Sequence, residues 1–455
     1  MIPGSWLFTP VSSQHLIVNL TLGILKHQIK NDMERRNFIK SAASLSAATI
    51  LSPDAVFASG AKPPIRLGFI GCGGRGTADI SSMSRNANVH IVAIADLFRD
   101  QLQAAKPKLD QLNAAKGFTA ISKSNIYQGS DAYLRLLNNK EVDAVLISSP
   151  CYTHPEFLEA AVAAGKHVYC EKPVAIDVEG CRRMEQLAER INGKVSVAIG
   201  FQVPHASPYS EMIKRIHRGD IGKIVNAQVY YLASEIPLKP YKGLIYDEAR
   251  IRNQFHFREL SGGTLVDQGI HMMDICNRAL QGHPLSASGY GGLNSGVEFG
   301  NAWNHYQVIY KYPNDVHVSY HSIQVGKQFG DVCARFIGTK GIAEAHYSGG
   351  VFISGENQWD SGVARNPTEL CAEQKTAGVF LSSLHDADAN KHKNFINSIE
   401  TGNYLNEIKQ AAESTLTAIL GRNAAEAQEE LSWDRMHFSN ERIDPGLNLS
   451  QFNRG

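Results

Sequence analysis

The chain reads as an α/β protein, a doubly wound parallel sheet followed by a second, α+β region. From Ile65 onward, short β-branched runs alternate with helical patterns, the rhythm of repeated βαβ units. Beyond about Gly200 that rhythm gives way to longer strands and a hairpin, so residues 62–199 and 200–455 are expected to form separate domains. A chain of 455 residues, 43% hydrophobic and 20% charged, is long enough for two sizeable cores and excludes a disordered protein.

Other classes fall away on composition. Lys plus Arg number 45 against 44 Asp plus Glu with no basic block, which argues against a nucleic-acid partner held by phosphate neutralisation. No apolar stretch approaches the ~20 residues that span a bilayer, so no membrane span is expected in the mature chain. The seven cysteines, Cys72, Cys151, Cys170, Cys181, Cys276, Cys333 and Cys371, include no CxxC pair, and neither a metal site nor a disulfide ladder is expected.

The N-terminal segment reads as an export signal. Arg35-Arg36 is followed by Phe38-Ile39, then by a mildly apolar, Ala/Ser-rich stretch over 41–51 and by Val56-Phe57-Ala58, where small residues suit a signal peptidase. This pattern predicts twin-arginine export to the periplasm or beyond, cleavage after Ala58 and translation from Met33, so 1–58 are set apart from the fold. The twin-arginine route carries folded proteins, chiefly when a cofactor must be inserted first, and so points to a tightly bound cofactor.

The first domain opens with a strand at Ile65–Ile70, the turn Gly71-Cys72-Gly73-Gly74-Arg75-Gly76 and a helix. Glycines between a strand and a helix let backbone N–H groups and the helix dipole meet a pyrophosphate. The second strand ends at Asp96, 20 residues past Gly76, where a carboxylate can accept from both hydroxyls of an adenosine ribose. This favours NAD over NADP, although Arg75 and Arg99 are near enough to keep NADP open. Further strands are expected near 142–148, 167–169 and 195–200, with helices at 155–164 and 178–191, giving about six parallel strands.

Two clusters fall at strand ends, Ser148-Ser149-Pro150 with His154-Pro155, and Glu171-Lys172-Pro173. With Gly200-Phe201-Gln202 and the run from Gly262 to His271, they make the chain resemble the glucose-fructose oxidoreductase, inositol dehydrogenase and rhizopine-catabolism (Gfo/Idh/MocA) family over about residues 63–430. The resemblance implies a Rossmann domain, then a domain with a large, mostly antiparallel sheet. It also implies NAD(P)-dependent oxidation or reduction of a hydroxyl on a sugar, glycoside or cyclitol. Cofactor contacts would come from Gly71, Gly73, Gly74, Arg75, Gly76, Asp96, Ser149, Pro150, His154, Glu171, Lys172 and Gln202, with Lys172 reaching toward both nicotinamide ribose and substrate. After Gln202 the chain departs from relatives that carry a basic or Arg-Tyr stretch; His205 and Tyr209 remain possible substrate neighbours, Tyr209 equally a packing residue.

Read from residue chemistry, Asp267 and His271 are four apart in a helical pattern and share a face. His271 suits removal of an alcohol proton as hydride leaves the same carbon, Asp267 could orient the imidazole or bind a neighbouring hydroxyl, and Lys172 could stabilise a developing alkoxide.

The second domain is expected to carry a helix over 209–216, a strand over 224–231, a hairpin around Pro313-Asn314-Asp315 and two amphipathic C-terminal helices at 385–400 and 405–428 that brace the sheet. Segment 233–260, with Tyr241, Tyr246, Arg250, Arg252, His256 and Arg258, is expected as an irregular roof over a sugar site or as a contact in a homo-oligomer. An exported dehydrogenase has no dissociable NAD pool to draw on, so its cofactor must be regenerated in place. Net oxidoreduction is the first expectation; a redox-assisted glycoside hydrolase and a non-catalytic sugar binder are the alternatives.

Overall fold

The computed structural model describes residues 62–453 except 192, 295–297, 327–329 and 365–381; the leader, Met33 and Cys371 lie outside the described residues. Six short strands make the first sheet: β1 (Ile65–Ile70), β2 (Val89–Asp96), β3 (Ile126–Gln128), β4 (Ala144–Ile147), β5 (His167–Cys170) and β6 (Val197–Ile199). They pair in parallel in the order β3-β2-β1-β4-β5-β6. A parallel sheet covered on both faces needs uninterrupted apolar runs, which is why β4 is Ala-Val-Leu-Ile with every residue buried. The strand order reverses between β1 and β4, so a crevice opens at their C-terminal ends, the usual ligand position in such sheets.

The second sheet comprises β7 (Ile224–Ala233), β8 (Ser286–Gly292), β9 (His305–Tyr312), β10 (Val316–Gln324), β11 (Asp331–Gly338), β12 (Gly341–His346), β13 (Val351–Gly355), β14 (Trp359–Asp360) and β15 (Leu431–Ser432). Their order is β14-β13-β12-β11-β7-β10-β9-β8-β15, with β7 and β10 parallel and all other neighbours antiparallel. The expected hairpin is present: Tyr312 faces Val316, and Asn314 and Asp315 take the left-handed conformation, φ 61° and 60°, that short polar side chains tolerate. Alternation along β9 buries Tyr306, Val308, Tyr310 and Tyr312 against helix Ile408–Ala427.

The two C-terminal helices differ from expectation. Ile408–Ala427 is buried nearly all round, wedged between the second sheet and helix Val178–Arg190, so it has no polar face to read as amphipathic. Ala387–Thr401 returns to the first sheet and packs on the helix that follows the glycine turn, Gly74–Asn86. The chain then runs beside β6, where Val197 donates to the Leu405 carbonyl and accepts from Glu407. Segment 233–260 is also less irregular than its composition suggests: it folds into helices Tyr246–Arg252 and Arg258–Ser261 around a single 3₁₀ turn, Gln254–His256.

Candidate functional site

Two adjoining cavities open at the C-terminal ends of the parallel strands, sharing Ser148, Ser149 and Gln254 in their walls. The first, about 180 Å³, is bordered by Gly71, Gly73, Asp96, Phe98, Ser149, Pro150 and Arg252. Gly71 has φ +88°, and a Cβ there would lie 2.6 Å from the Ser148 carbonyl carbon, so only glycine fits. Gly73 and Gly74, by contrast, have nothing within 4 Å of where a Cβ would stand. Helix Gly74–Asn86 starts here with no side-chain cap and no acidic residue in its first turn, so its free N–H groups and dipole are uncontested by a protein anion. These features fit a dinucleotide pyrophosphate.

Asp96 ends β2 as expected. Its two carboxylate oxygens accept from Cys72 N at 2.7 Å and Phe98 N at 2.8 Å, which pins the carboxylate toward the cavity. Burial pushes its pKa up to about 6, against the pull of the Phe98 and Cys72 N–H groups. The helix after it begins only at Arg99, and Asp96 makes no cap there.

The second cavity, about 260 Å³, brings together Lys172, Asp267 and His271 with Arg75, Ser149, Cys151, His154, Glu171, Gln202, Tyr231, Gln254, Phe255 and Gln268. Lys172, at the end of β5 with a cis Lys172–Pro173 peptide, donates from Nζ to the Asp267 carbonyl at 2.5 Å and stands 3.6 Å from Asp267 Oδ1. Burial opposes its charge, yet the Asp267 and Glu171 carboxylates outweigh that and hold its pKa above the ordinary lysine value. Asp267 also accepts from the Cys151 thiol at 3.7 Å. The chain carrying these groups is not a plain α-helix: Leu265–Gly269 winds as a π turn before helix Ile270–Leu280 begins, a widening common at functional sites.

His271 is buried between the rings of Phe201 and Tyr347, and its Nδ1 has no hydrogen-bond partner among the described residues. Burial, then the Lys172 charge, lower its pKa well below 6.5, so the imidazole is neutral at neutral pH. Asp267 is partnered with Lys172 and Cys151, so the expected Asp267-to-imidazole bond is replaced by an Asp267-to-lysine one.

Beneath this cavity lies an ion cluster that sequence reasoning did not find. Arg75 contacts Asp79 at 3.0 Å, Glu171 at 3.3 Å and Asp388 at 3.5 Å. Lys391 contacts the same three carboxylates at 3.3, 3.6 and 3.1 Å, and Gln202 donates to Asp388 at 3.0 Å. Asp388 and Lys391 come from the returning C-terminal helix, some 300 residues beyond Asp79, a distance no local pattern reveals. Arg75, Glu171 and Gln202, expected as cofactor contacts, are thus braced in this cluster while bordering the cavity. His154 is nearly inaccessible, with Nδ1 2.6 Å from the Pro173 carbonyl oxygen and Nε2 2.9 Å from that of Ser149, tying the two strand-end loops together.

Several expected substrate neighbours lie elsewhere. His205 sits 4.0 Å from Glu407 and Tyr209 is fully buried edge-on to Tyr347; neither borders the cavity. Within 233–260 the cations are structural: Arg250 holds Glu259 and the Pro445 and Gly446 carbonyls, Arg258 holds Glu426, and Arg252 pairs with Asp100 and Glu248 across the first cavity. Gln254 and Phe255, between Arg252 and Arg258, border the second cavity, whereas Arg252 borders only the first. Uncharged and without spacing, Gln254 and Phe255 offered no signal in sequence.

Comparison with known proteins agrees with this geometry. Residues 65–199 match the model of an oxidoreductase family with an NAD-binding Rossmann fold, and residues 209–344 match the Gfo/Idh/MocA C-terminal domain. The inositol 2-dehydrogenase of Pseudomonas fluorescens (strain SBW25) is 38% identical over 161 residues, 35% of this chain and 43% of that protein; inositol 2-dehydrogenase 3 of Saccharopolyspora erythraea is 32% identical over 174 residues, 38% and 46%. These matches therefore span less than half the length of the curated relatives. In fold the chain is similar to myo-inositol 2-dehydrogenase of Lactobacillus plantarum (TM-score 0.60, 20% identity) and to a levoglucosan dehydrogenase solved with NADH and levoglucosan (TM-score 0.63, 16% identity), each over 81% of this chain and 99% of the other. With both domains matched in order and its glycine turn, Asp96 and Lys172 at the ends of the parallel strands, the chain belongs to the Gfo/Idh/MocA oxidoreductase family.

Proposed function

We propose that this protein is an NAD-dependent dehydrogenase that acts on a CH–OH group of a sugar, glycoside or cyclitol and keeps its dinucleotide bound. The carrying observation is the convergence of Lys172, Asp267 and His271, from two domains, in one cavity beside the glycine turn. Nicotinamide, when bound, supplies the hydride acceptor. The neutral His271 takes the hydroxyl proton on a ring nitrogen. The Lys172 ammonium, held by the Asp267 carbonyl and carboxylate, faces the oxygen that proton leaves and stabilises its developing charge in a water-poor site. Asp267 fixes Lys172 and keeps it charged.

Gly71, Gly73, Gly74 and the start of the following helix would hold the pyrophosphate, and Asp96 the adenosine ribose. Preference for NAD over NADP is supported by Arg252, whose guanidinium is taken up by Asp100 at 2.9 Å and Glu248 at 2.8 Å, leaving a 2′-phosphate to meet Asp96. Asp96→Ala is expected to weaken NAD more than NADP in equilibrium titrations; an equal loss would remove Asp96 from the ribose. Retention is supported by the segments that close over this end: Arg252 stacks 4.2 Å from the Phe98 ring centre, Phe452 packs edge-on to Phe98, and Asn453 accepts from Ser130. A retained cofactor accords with the twin-arginine leader, and we propose periplasmic or other exported location on that basis.

The decisive experiment uses protein purified without added nucleotide. Denaturation is expected to release NAD(H), and a panel of sugars, cyclitols and aryl glycosides should include one that reduces the bound nicotinamide. Recording cofactor absorbance together with aglycone release separates net oxidation from redox-assisted hydrolysis. Folded protein that is empty overturns retention; bound cofactor that no member of the panel reduces overturns the dehydrogenase reading.

A further inference from the structure

A third cavity, about 340 Å³, adjoins the reacting one. Phe255 borders both, and an amide pair also joins their walls, Gln324 Nε2 donating to Gln268 Oε1, with Gln268 on the reacting side and Gln324 on the outer side. The three residues of the Gln254–His256 turn divide the work: Gln254 faces the reacting cavity, Phe255 both, and His256 the outer one. The outer walls mix Ile236, Leu238 and Val325 with Asn304 and Gln324, a surface suited to the C–H face of a sugar ring or to an aromatic ring.

Two buried polar atoms on this turn, Gln254 Oε1 and His256 Nε2, have no hydrogen-bond partner among the described residues. Unpaired buried acceptors are rare in folded proteins unless a ligand or water completes them. Burial lowers the His256 pKa, with the Ile236 carbonyl opposing it, so the ring is neutral and its unpartnered Nε2 is available to accept from a hydroxyl. Nothing in the Lys172, Asp267 and His271 chemistry uses this atom, whose residue lines the outer cavity and not the reacting one.

We infer, on the dehydrogenase reading above, that the two cavities are compartments of one substrate cleft and that the substrate is a glycoside of at least two units. Its reacting ring lies against Lys172, Asp267 and His271, and its second ring or aromatic aglycone lies beyond Phe255, donating a hydroxyl to His256 Nε2. The two cavities together fall in the ~300–1,000 Å³ range of ligand sites, whereas the reacting cavity alone, about 260 Å³, falls below it.

Isothermal titration of the holoprotein with methyl glycosides, p-nitrophenyl glycosides and disaccharides of the same hexoses tests this without turnover. For at least one hexose the two-unit ligands are expected to bind about tenfold tighter or more than the methyl glycoside. Phe255→Ala should shrink that advantage for both classes. His256→Ala should shrink it for disaccharides, and His256→Asn, which keeps an acceptor, should restore part of it; methyl glycoside affinity should stay unchanged in both His256 variants. Equal affinities, or an advantage that survives Phe255→Ala and His256→Ala, overturns the second compartment and leaves the dehydrogenase reading standing. Binding of no glycoside, with reduction of the bound cofactor by free cyclitols or monosaccharides, likewise overturns only the compartment; binding and reduction by none overturns both.

Discussion

The proposed role of His271 as a base rests on surroundings that deny it a proton: burial and the neighbouring Lys172 charge both favour the neutral ring. Positioned proton transfer contributes typically ~10²–10⁴-fold, so His271→Ala should slow reduction of the bound nicotinamide by about that factor, read by stopped flow, without releasing the cofactor. The pH dependence has a definite sign. A base whose pKa is depressed stays competent as pH falls past 6.5, so the reduction rate should hold between pH 7 and 6 and decline only in more acid solution. A midpoint at or above 6.5 would assign the proton to another group. Glycine at 200 has a similarly local cause, since a Cβ there would overlap the Glu171 carboxylate.

At the scale of the element, helix Ala387–Thr401 inserts Lys391 beneath the site and so couples the C-terminal region to the glycine-turn helix. Its ammonium is buried among Asp79, Glu171 and Asp388, and the two nearby cations hold the Asp388 pKa down to about 2 against the effect of burial. Removing one member of a buried ionic group strands the others, so Lys391→Met should cost about 3–5 kcal/mol of stability, visible as a lower urea midpoint. A surface-like loss below about 1 kcal/mol would show that solvent reaches the cluster.

For the molecule as a whole, the proposed cofactor retention draws on chain ends far apart in sequence. The C-terminal tail is tied down by Arg250 to the Pro445 and Gly446 carbonyls and by Asp247 to Asn448 and Gln451, before Phe452 and Asn453 reach the first domain. Deleting residues 447–455 removes one aromatic pair and a few hydrogen bonds, so release of bound NADH, followed by its fluorescence, should accelerate roughly ten- to a hundredfold. At the other end, replacing Arg35 and Arg36 by Lys should leave uncleaved precursor in the cytoplasm. Unchanged export of that variant would remove the leader as support for retention.

Much of the first domain was legible in the residues themselves, because its strands are buried on both faces and its glycines answer to local steric demands: Gly71 to a positive φ, and Asp96 to its place at the end of β2. The same holds for the β9–β10 hairpin, whose alternation and turn residues are short-range signals. Lys172, Asp267 and His271 were named from residue type and spacing together with the family resemblance, and the structure adds their partners: Asp267 holds Lys172, and no carboxylate hydrogen bond to His271 is found among the described residues. Two things could not be read from the sequence. The Arg75–Lys391 cluster joins residues some 300 positions apart, and helix Ile408–Ala427, expected as an amphipathic helix, is buried nearly all round by elements packed on it from both domains. The arginines of 233–260 looked like sugar donors until carboxylates and carbonyls were found to hold them, leaving the neutral Gln254–His256 turn to face the cleft. Local chemistry is written in neighbouring residues, whereas which charge meets which, and which side chain is left without a partner, is decided only when distant segments pack together.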